Sequence, residues 1–274
     1  MRFVAGETSA EALNAVQSLN QAGFRVTLDY LGESVRSPDE AEQATQAYVD
    51  SLGEIHASNA SSTISLKLTQ LGLDIDEELC TRNVNRIVAR AAELDSFVRI
   101  DMEDSDHTAP TLRVFHRVFS EHRNVGIVIQ SYLHRSAEDV DQLVACGAPV
   151  RLCKGAYQEP GTVAFQRKSE IDDNYIHLMK RLLDGGVSTA IATHDDRMID
   201  ATRSHIDEGG ISTDSLEFQM LYGVRRDYQA QLVEEGYVVR IYVPYGTEWY
   251  PYLMRRMAER PANLLFVMRA LLGK

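Results

Sequence analysis

FVRIDME, residues 97–103, alternates along its length: Val98, Ile100 and Met102 fall on one face, Arg99, Asp101 and Glu103 on the other. A period of two is a strand's period. A strand with one apolar and one charged face must bury the first against apolar neighbours. The second needs opposite charges or a polar ligand, because an unpaired buried charge costs several kcal/mol, roughly. The same alternation recurs. STISLKL sets Ile64, Leu66 and Leu68 against Ser65 and Lys67, and VVRIYV sets Val239, Ile241 and Val243 against Arg240 and Tyr242. PVRLCK sets Val150 and Leu152 against Arg151 and Cys153, VGIVIQ puts Gln130 opposite Ile127 and Ile129, and SLEFQM puts Glu217 and Gln219 opposite Leu216, Phe218 and Met220.

Eight such runs occur, at FRVTLDYLG, STISLKL, FVRIDME, VGIVIQSYL, PVRLCKGAY, STAIATHD, SLEFQMLY and VVRIYVPYG. Stretches rich in Ala, Glu, Leu and Arg separate them: 37–55, which opens Ser-Pro with an acidic first turn, then 76–95, 108–122, 137–146, 168–185, 197–208, 225–235 and 250–272. Eight strand–helix alternations match a single (βα)8 barrel domain over 1–274 better than a doubly wound sheet of five or six strands. A helix over 7–22 precedes it. In a barrel the apolar faces meet the helices, so Lys67, Arg99, Asp101, Glu103, Arg151, Glu217 and Arg240 point inward. The deeper Arg99, Glu217 and Arg240 suit an internal ion-pair network. Lys67, Asp101, Gln130 and Arg151 lie nearer the strands' C-terminal ends, where barrel active sites sit.

The net charge of -12 argues against nucleic acid or an anionic bilayer as a general partner, while leaving room for a local basic site. Three scattered cysteines, Cys80, Cys146 and Cys153, make neither a disulfide framework nor a zinc site, and a reducing cytoplasm is the default. No apolar run approaches the roughly 20 residues needed to span a bilayer, and the start MRFVAGETSAEALNAV lacks the pattern of a signal peptide.

Four segments carry chemistry. YPYLMRRMAERPAN, residues 250–263, reads as a helix with Tyr252, Arg255, Arg256 and Glu259 on one face. Two adjacent guanidiniums beside a tyrosine form a fork for a carboxylate, although a solvated charged helix fits the same spacing. RLCKGAY places Arg151 and Lys154 at a strand end before a glycine, which suits a phosphate or an electron-rich heterocycle. In ATHD, His194 suits a base, a metal ligand or, best on position alone, a simple hydrogen bonder. DMEDSDH offers carboxylates to a divalent metal, but one inward Asp101 followed by a solvated loop is the plainer reading.

LDYLGE, SLKLTQLG, IDMED, IQSYL, RLCKGAY, ATHD, EFQMLYG, RIYVPYG and YLMRRMAERPAN, taken in that order, resemble the proline dehydrogenase family over about residues 3–272. The resemblance implies a distorted (βα)8 barrel with the last helix over its mouth. It implies noncovalent FAD and oxidation of L-proline to Δ1-pyrroline-5-carboxylate, with electrons passed on to a quinone. Arg255 and Arg256 would hold the substrate carboxylate. Lys67, Asp101, Tyr157, Leu221, Tyr242 and Tyr252 would line the same pocket, and Glu33 would act as a gate pairing with Arg255. Arg151 would donate to the flavin's reactive nitrogen and Gln130 would touch the isoalloxazine edge. Asp101, Lys154, Gly155, Ala156, Thr193, His194 and Glu259 would also serve the cofactor. The resemblance implies catalytic roles for Lys67, Asp101, Arg151, Tyr242, Arg255 and Arg256, no metal, and a cytoplasmic enzyme with at most peripheral contact at the inner membrane face. Family members usually carry further helices before the barrel, and no aldehyde-dehydrogenase-like stretch follows, so the expected reaction is the first step of proline breakdown alone.

Three rivals predict different observations. A Schiff-base aldolase with Lys67 as nucleophile predicts borohydride trapping, a metal hydrolase using DMEDSDH and His194 predicts bound metal, and a binding barrel predicts ligand without flavin or turnover.

Overall fold

Each apolar run becomes a strand in the computed structural model, which describes residues 3–32 and 34–250. The strands are β1 (Arg25–Tyr30), β2 (Ser62–Leu66), β3 (Val98–Ile100), β4 (Val125–Gln130), β5 (Val150–Cys153), β6 (Thr189–Ala192), β7 (Leu216–Leu221) and β8 (Val239–Tyr245). All pair in parallel in chain order, and β1 closes on β8 from Arg25↔Arg240 to Tyr30↔Tyr245. Helix α1 (Ser9–Gln21) precedes the barrel. Between strands lie α2 (Pro38–Ala57), α3 (Glu77–Glu93), α4 (Ser105–Glu121), α5 (Ser136–Cys146), α6 (Lys168–Asp184), α7 (Asp196–Gly209) and α8 (Arg226–Glu234). The eight expected strands and this (βα)8 architecture are borne out. The expected helix over 250–272 lies outside the described residues but for its first position.

Local chemistry starts and stops the helices. Ser37, Asp76 and Asp104 cap α2, α3 and α4 by accepting from the backbone N–H three residues on, while Asp195 caps α7 from Arg197 N–H. Pro38 opens α2, and Gly147 and Gly210 end α5 and α7 in the left-handed region. The outward strand faces, with Leu28, Leu66, Ile100, Ile127, Leu152, Phe218 and Ile241, pack with Tyr48, Ile87, Phe115, Leu143 and Tyr175 of the helices in one core. Each fully buried apolar side chain of this kind contributes about 1.5–3 kcal/mol. The Tyr175 hydroxyl donates to Leu152 O at 3.0 Å, which satisfies the polar tip inside that layer.

The barrel interior is polar, and its lower part is closed by ionic contacts. Arg240 meets Glu217 through Nε at 2.8 Å and Nη2 at 3.0 Å, and its Nη1 donates to Val26 O at 2.8 Å. Burial alone would raise the Glu217 carboxyl, but the charge and hydrogen bonds of Arg240 hold it below its ordinary value. Arg99 donates from Nη1 to Pro149 O at 2.8 Å and Ile127 O at 3.2 Å. Gly126 makes room for it, since a Cβ there would collide with Arg99 Nη1. Burial, and then the like charge of Arg151, pull the Arg99 guanidinium down to about 9. The expected internal ion-pair network is present between Glu217 and Arg240 but does not extend to Arg99, which is held by carbonyls and makes no ion pair among the described residues.

Candidate active site

At the C-terminal ends of the strands a cavity of about 920 Å³ opens. Lys67, Asp101, Gln130, Arg151, Lys154, Gly155, Ala156, Tyr157, Thr193, His194, Leu221 and Tyr242 all line it, so these expected site residues meet in one place. Glu33, Tyr252, Arg255, Arg256 and Glu259 lie outside the described residues.

Asp101 is the hub of the cavity's inner wall. Its Oδ1 accepts from Arg151 Nη1 at 2.6 Å and its Oδ2 from the Tyr242 hydroxyl at 2.8 Å. Burial, reinforced by the Asp101 charge, pushes the Tyr242 phenol well above its ordinary value, so it stays neutral and donates. Arg151 also donates from Nη2 to Ser65 Oγ at 3.0 Å, and its guanidinium lies 5.3 Å from the Tyr242 ring centroid. Four polar atoms of residues that line the cavity, Arg151 Nε, Gln130 Oε1, Gln219 Oε1 and the Tyr132 hydroxyl, are buried with no hydrogen-bond partner among the described residues. Such atoms are costly unless something completes them.

Lys67 Nζ faces both oxygens of Asp29, at 3.2 and 3.4 Å. Burial alone would pull the ammonium down, but Asp29, then Asp101 and Glu103, outweigh it and hold it above its ordinary value. A Schiff-base nucleophile must be a neutral amine, so this environment counts against the aldolase reading. Asp29, fully buried, escaped the sequence reading. The signal was available, because Arg25, Thr27 and Asp29 alternate with Val26 and Leu28 within the first run.

Lys154 Nζ is shared by Asp172 Oδ1 at 2.5 Å and Asp195 Oδ2 at 2.6 Å. Asp195 therefore joins the strand-β5 end to the α7 cap. Although burial raises it, the Lys154 hydrogen bond and charge bring its carboxyl down to about 2. Two carboxylates around one ammonium weaken the pull of Lys154 on a phosphate. His194 Nε2 accepts from Leu221 N–H at 3.0 Å, so that nitrogen carries no proton, and His194 acts as a hydrogen bonder between the ends of β6 and β7.

The segment after Lys154 is pinned over the cavity. Glu159 accepts from Ser105 N–H at 2.7 Å and from its hydroxyl at 2.6 Å, and Leu133 pairs with Ala164 in an antiparallel bridge. Gly155 sits at φ +106 with the Tyr132 ring where a Cβ would stand. Tyr132, also in the cavity wall, escaped the sequence reading, because its contact with Gly155 joins two different strand ends.

Two expectations are corrected. Glu103 does not point into the barrel with Arg99 and Asp101, and the run after Asp101 is not a solvated loop. Strand β3 ends at Ile100, so the alternation stops there. Glu103 turns aside, buried, and accepts from Thr69 N–H at 3.1 Å and its hydroxyl at 2.6 Å.

The sequence profile of the family described as Proline dehydrogenase matches residues 12–269. Proline dehydrogenase 1 of Bacillus subtilis (strain 168) is 44% identical over 273 residues, covering 100% of this chain and 90% of that protein. Proline dehydrogenase 2 of the same strain is 41% identical with the same coverage. Proline dehydrogenase of Deinococcus radiodurans is 42% identical over 276 residues, covering 99% of this chain and 89% of its own length. Among solved structures, proline utilization A from Bdellovibrio bacteriovorus, inactivated by N-propargylglycine, superposes with a TM-score of 0.88 at 28% identity over 93% of this chain. The chain spans only 32% of that larger protein.

Proposed function

The chain belongs to the proline dehydrogenase family, and from that premise we propose that its barrel mouth binds FAD noncovalently and presents L-proline to it. The reaction is oxidation of proline to Δ1-pyrroline-5-carboxylate, in a family that is flavin-dependent. The carrying observation is that Arg151 Nε and Gln130 Oε1, two of the four buried polar atoms on residues lining the 920 Å³ cavity that lack a partner among the described residues, offer a donor and an acceptor. A buried donor and a buried acceptor left unpaired among the described residues suit a heterocycle that carries both functions on its edge. The cavity volume lies at the upper end of the usual range of about 300–1,000 Å³ for small-molecule and cofactor sites.

In this reading Gln130, Arg151, Lys154, Gly155, Ala156, Thr193 and His194 hold the cofactor, together with Asp101 through Arg151, and Glu259 completes the site. When bound, the flavin supplies the two-electron acceptor. The chain's own residues orient the substrate. Arg255 and Arg256 take the proline carboxylate, and Tyr242, Leu221, Tyr157 and Tyr252 enclose the ring. Lys67 and Asp101 complete the polar wall, and Glu33 pairs with Arg255 on closure. Orientation of this kind is worth several kcal/mol or more.

The amine must be neutral for its lone pair to assist oxidation. Lys67 and Arg151 are matched by Asp29 and Asp101 across contacts of 3.2 and 2.6 Å. The described wall is therefore close to charge-balanced, and repulsion that lowers the amine's pKa is left to Arg255 and Arg256. The proposed acceptor downstream is a quinone, reached through peripheral contact with the cytoplasmic membrane face. No described helix is long and apolar enough to cross a membrane.

The test is the visible absorption spectrum of the purified protein before and after anaerobic addition of L-proline. Flavin bands that bleach on addition are the expected result. Bands unmoved by L-proline reject the substrate, and absence of flavin after FAD is supplied rejects the cofactor site.

A further inference from the structure

Ser65 is fully buried in the barrel interior and does not line the cavity. Its register neighbours are Asp29 on β1 and Arg99 on β3, yet its hydroxyl reaches across to β5. There it accepts from Arg151 Nη2 at 3.0 Å. An arginine offers donors only, so the hydroxyl proton of Ser65 is left for Thr27 Oγ1, 3.4 Å away on β1. Asp101 takes the other terminal nitrogen of the guanidinium, Nη1, at 2.6 Å. With both terminal nitrogens held from different strands, the rigid planar fork cannot turn about its axis. Each terminal nitrogen keeps a second N–H, and Nε is the guanidinium nitrogen left buried with no partner among the described residues.

Building on the reading of Arg151 as a cofactor contact, we propose that Ser65 is a positioning residue: acting through Arg151, it aims Nε–H at the bound flavin and so helps set the cofactor's reduction potential. The physical argument is electrostatic preorganisation. A positively charged donor fixed in advance beside a group that gains electrons stabilises the electron-rich form and pays no reorganisation at that moment. Freed from Ser65, the guanidinium keeps its charge and its Asp101 bond but regains rotation about that bond. Its donor then spends part of its time off target, and the reduced flavin loses part of its stabilisation. Substrate binding is untouched to first order, because Ser65 contacts neither the cavity nor any residue assigned to the carboxylate or the ring other than through Arg151.

The experiment measures the flavin midpoint potential by spectroelectrochemistry in the holoenzyme for wild type, Ser65→Ala, Ser65→Thr and Arg151→Met. Steady-state kinetics with L-proline run alongside. We expect Ser65→Ala to move the potential negative and lower kcat about tenfold, the size expected for a hydrogen bond to a charged group, with KM for proline nearly constant. Ser65→Thr, which keeps the hydroxyl, restores the potential. Arg151→Met moves it at least as far as Ser65→Ala. A wild-type potential in Ser65→Ala, with a shifted one in Arg151→Met, overturns the proposal while leaving the Arg151 reading intact. Unshifted potentials in both overturn that reading and the proposal with it. If Ser65→Ala fails to retain flavin, Ser65→Cys replaces it: a thiol is a weaker acceptor, so its potential must fall on the negative side of Ser65→Thr. Equality of the two overturns the proposal.

Discussion

Asp29 and Lys67 face each other at 3.2 Å with almost no water around either. A lysine buried without a counter-ion would lose its proton or open the barrel wall. Asp29→Ala is therefore expected to destabilise the fold by about 3–5 kcal/mol, the cost of orphaning one partner of a buried pair. Asp29→Ala combined with Lys67→Met should recover much of that loss. Urea unfolding of the single and double variants checks this, and equal losses in the two would sink it. Because the folded ammonium is held above its ordinary value, the lysine's contribution stands throughout the neutral range and fades as pH climbs through that raised value. At this scale the sequence was partly legible. Alternation told which side chains point inward, including Lys67, Asp101, Gln130 and Arg151. It could not tell which of them meet. Arg151 finds Ser65 and Asp101 across the barrel, a matter of stagger that no single strand encodes. Glu103 shows the opposite failure, where alternation was carried past the strand's end.

Helix ends and βα-loops make the next layer. His107, in the first turn of α4, lies between Asp104 at 2.6 Å and Asp74 at 2.7 Å, and so ties the loop after β2 to the loop after β3. Burial lowers the imidazole, but hydrogen bonds to Asp74 and Asp104 outweigh it and leave it raised. The sign follows. The stability this bridge contributes is complete below the unfolded value of about 6.5 and fades as pH rises through the raised folded value. His107→Asn should lower the thermal midpoint in mildly acidic buffer and leave it unchanged near pH 9. A pH-independent loss would mean that the imidazole only fills space. Element identities were legible from sequence because period, caps and breakers agree with one another. Ser37-Pro38 and Asp76 start helices where the acidic first turns announce them. Loop contacts were not legible: Glu159 reaches Ser105, and Gly155 yields to Tyr132, between segments far apart in the chain.

Taken whole, the barrel was legible from eight alternations of period, which leave few architectures open. What sequence could not supply is the mutual placement that makes one cavity from eight strand ends. That placement grades the chain's three thiols in an unplanned way. Cys146 is exposed at the end of α5, Cys153 is half-buried in the cavity wall, and Cys80 is buried in α3, with burial raising its thiol. Reagent access, and for Cys80 thiolate supply, then follows the state of the molecule. Timed alkylation with peptide mapping should mark Cys146 at once in every state, Cys153 faster in apoprotein than in FAD-loaded protein, and Cys80 only on unfolding. Equal Cys153 labelling with and without FAD would contradict this order. The molecule thus carries three native clocks, one each for reagent potency, cavity occupancy and global opening, and none of them requires a foreign label.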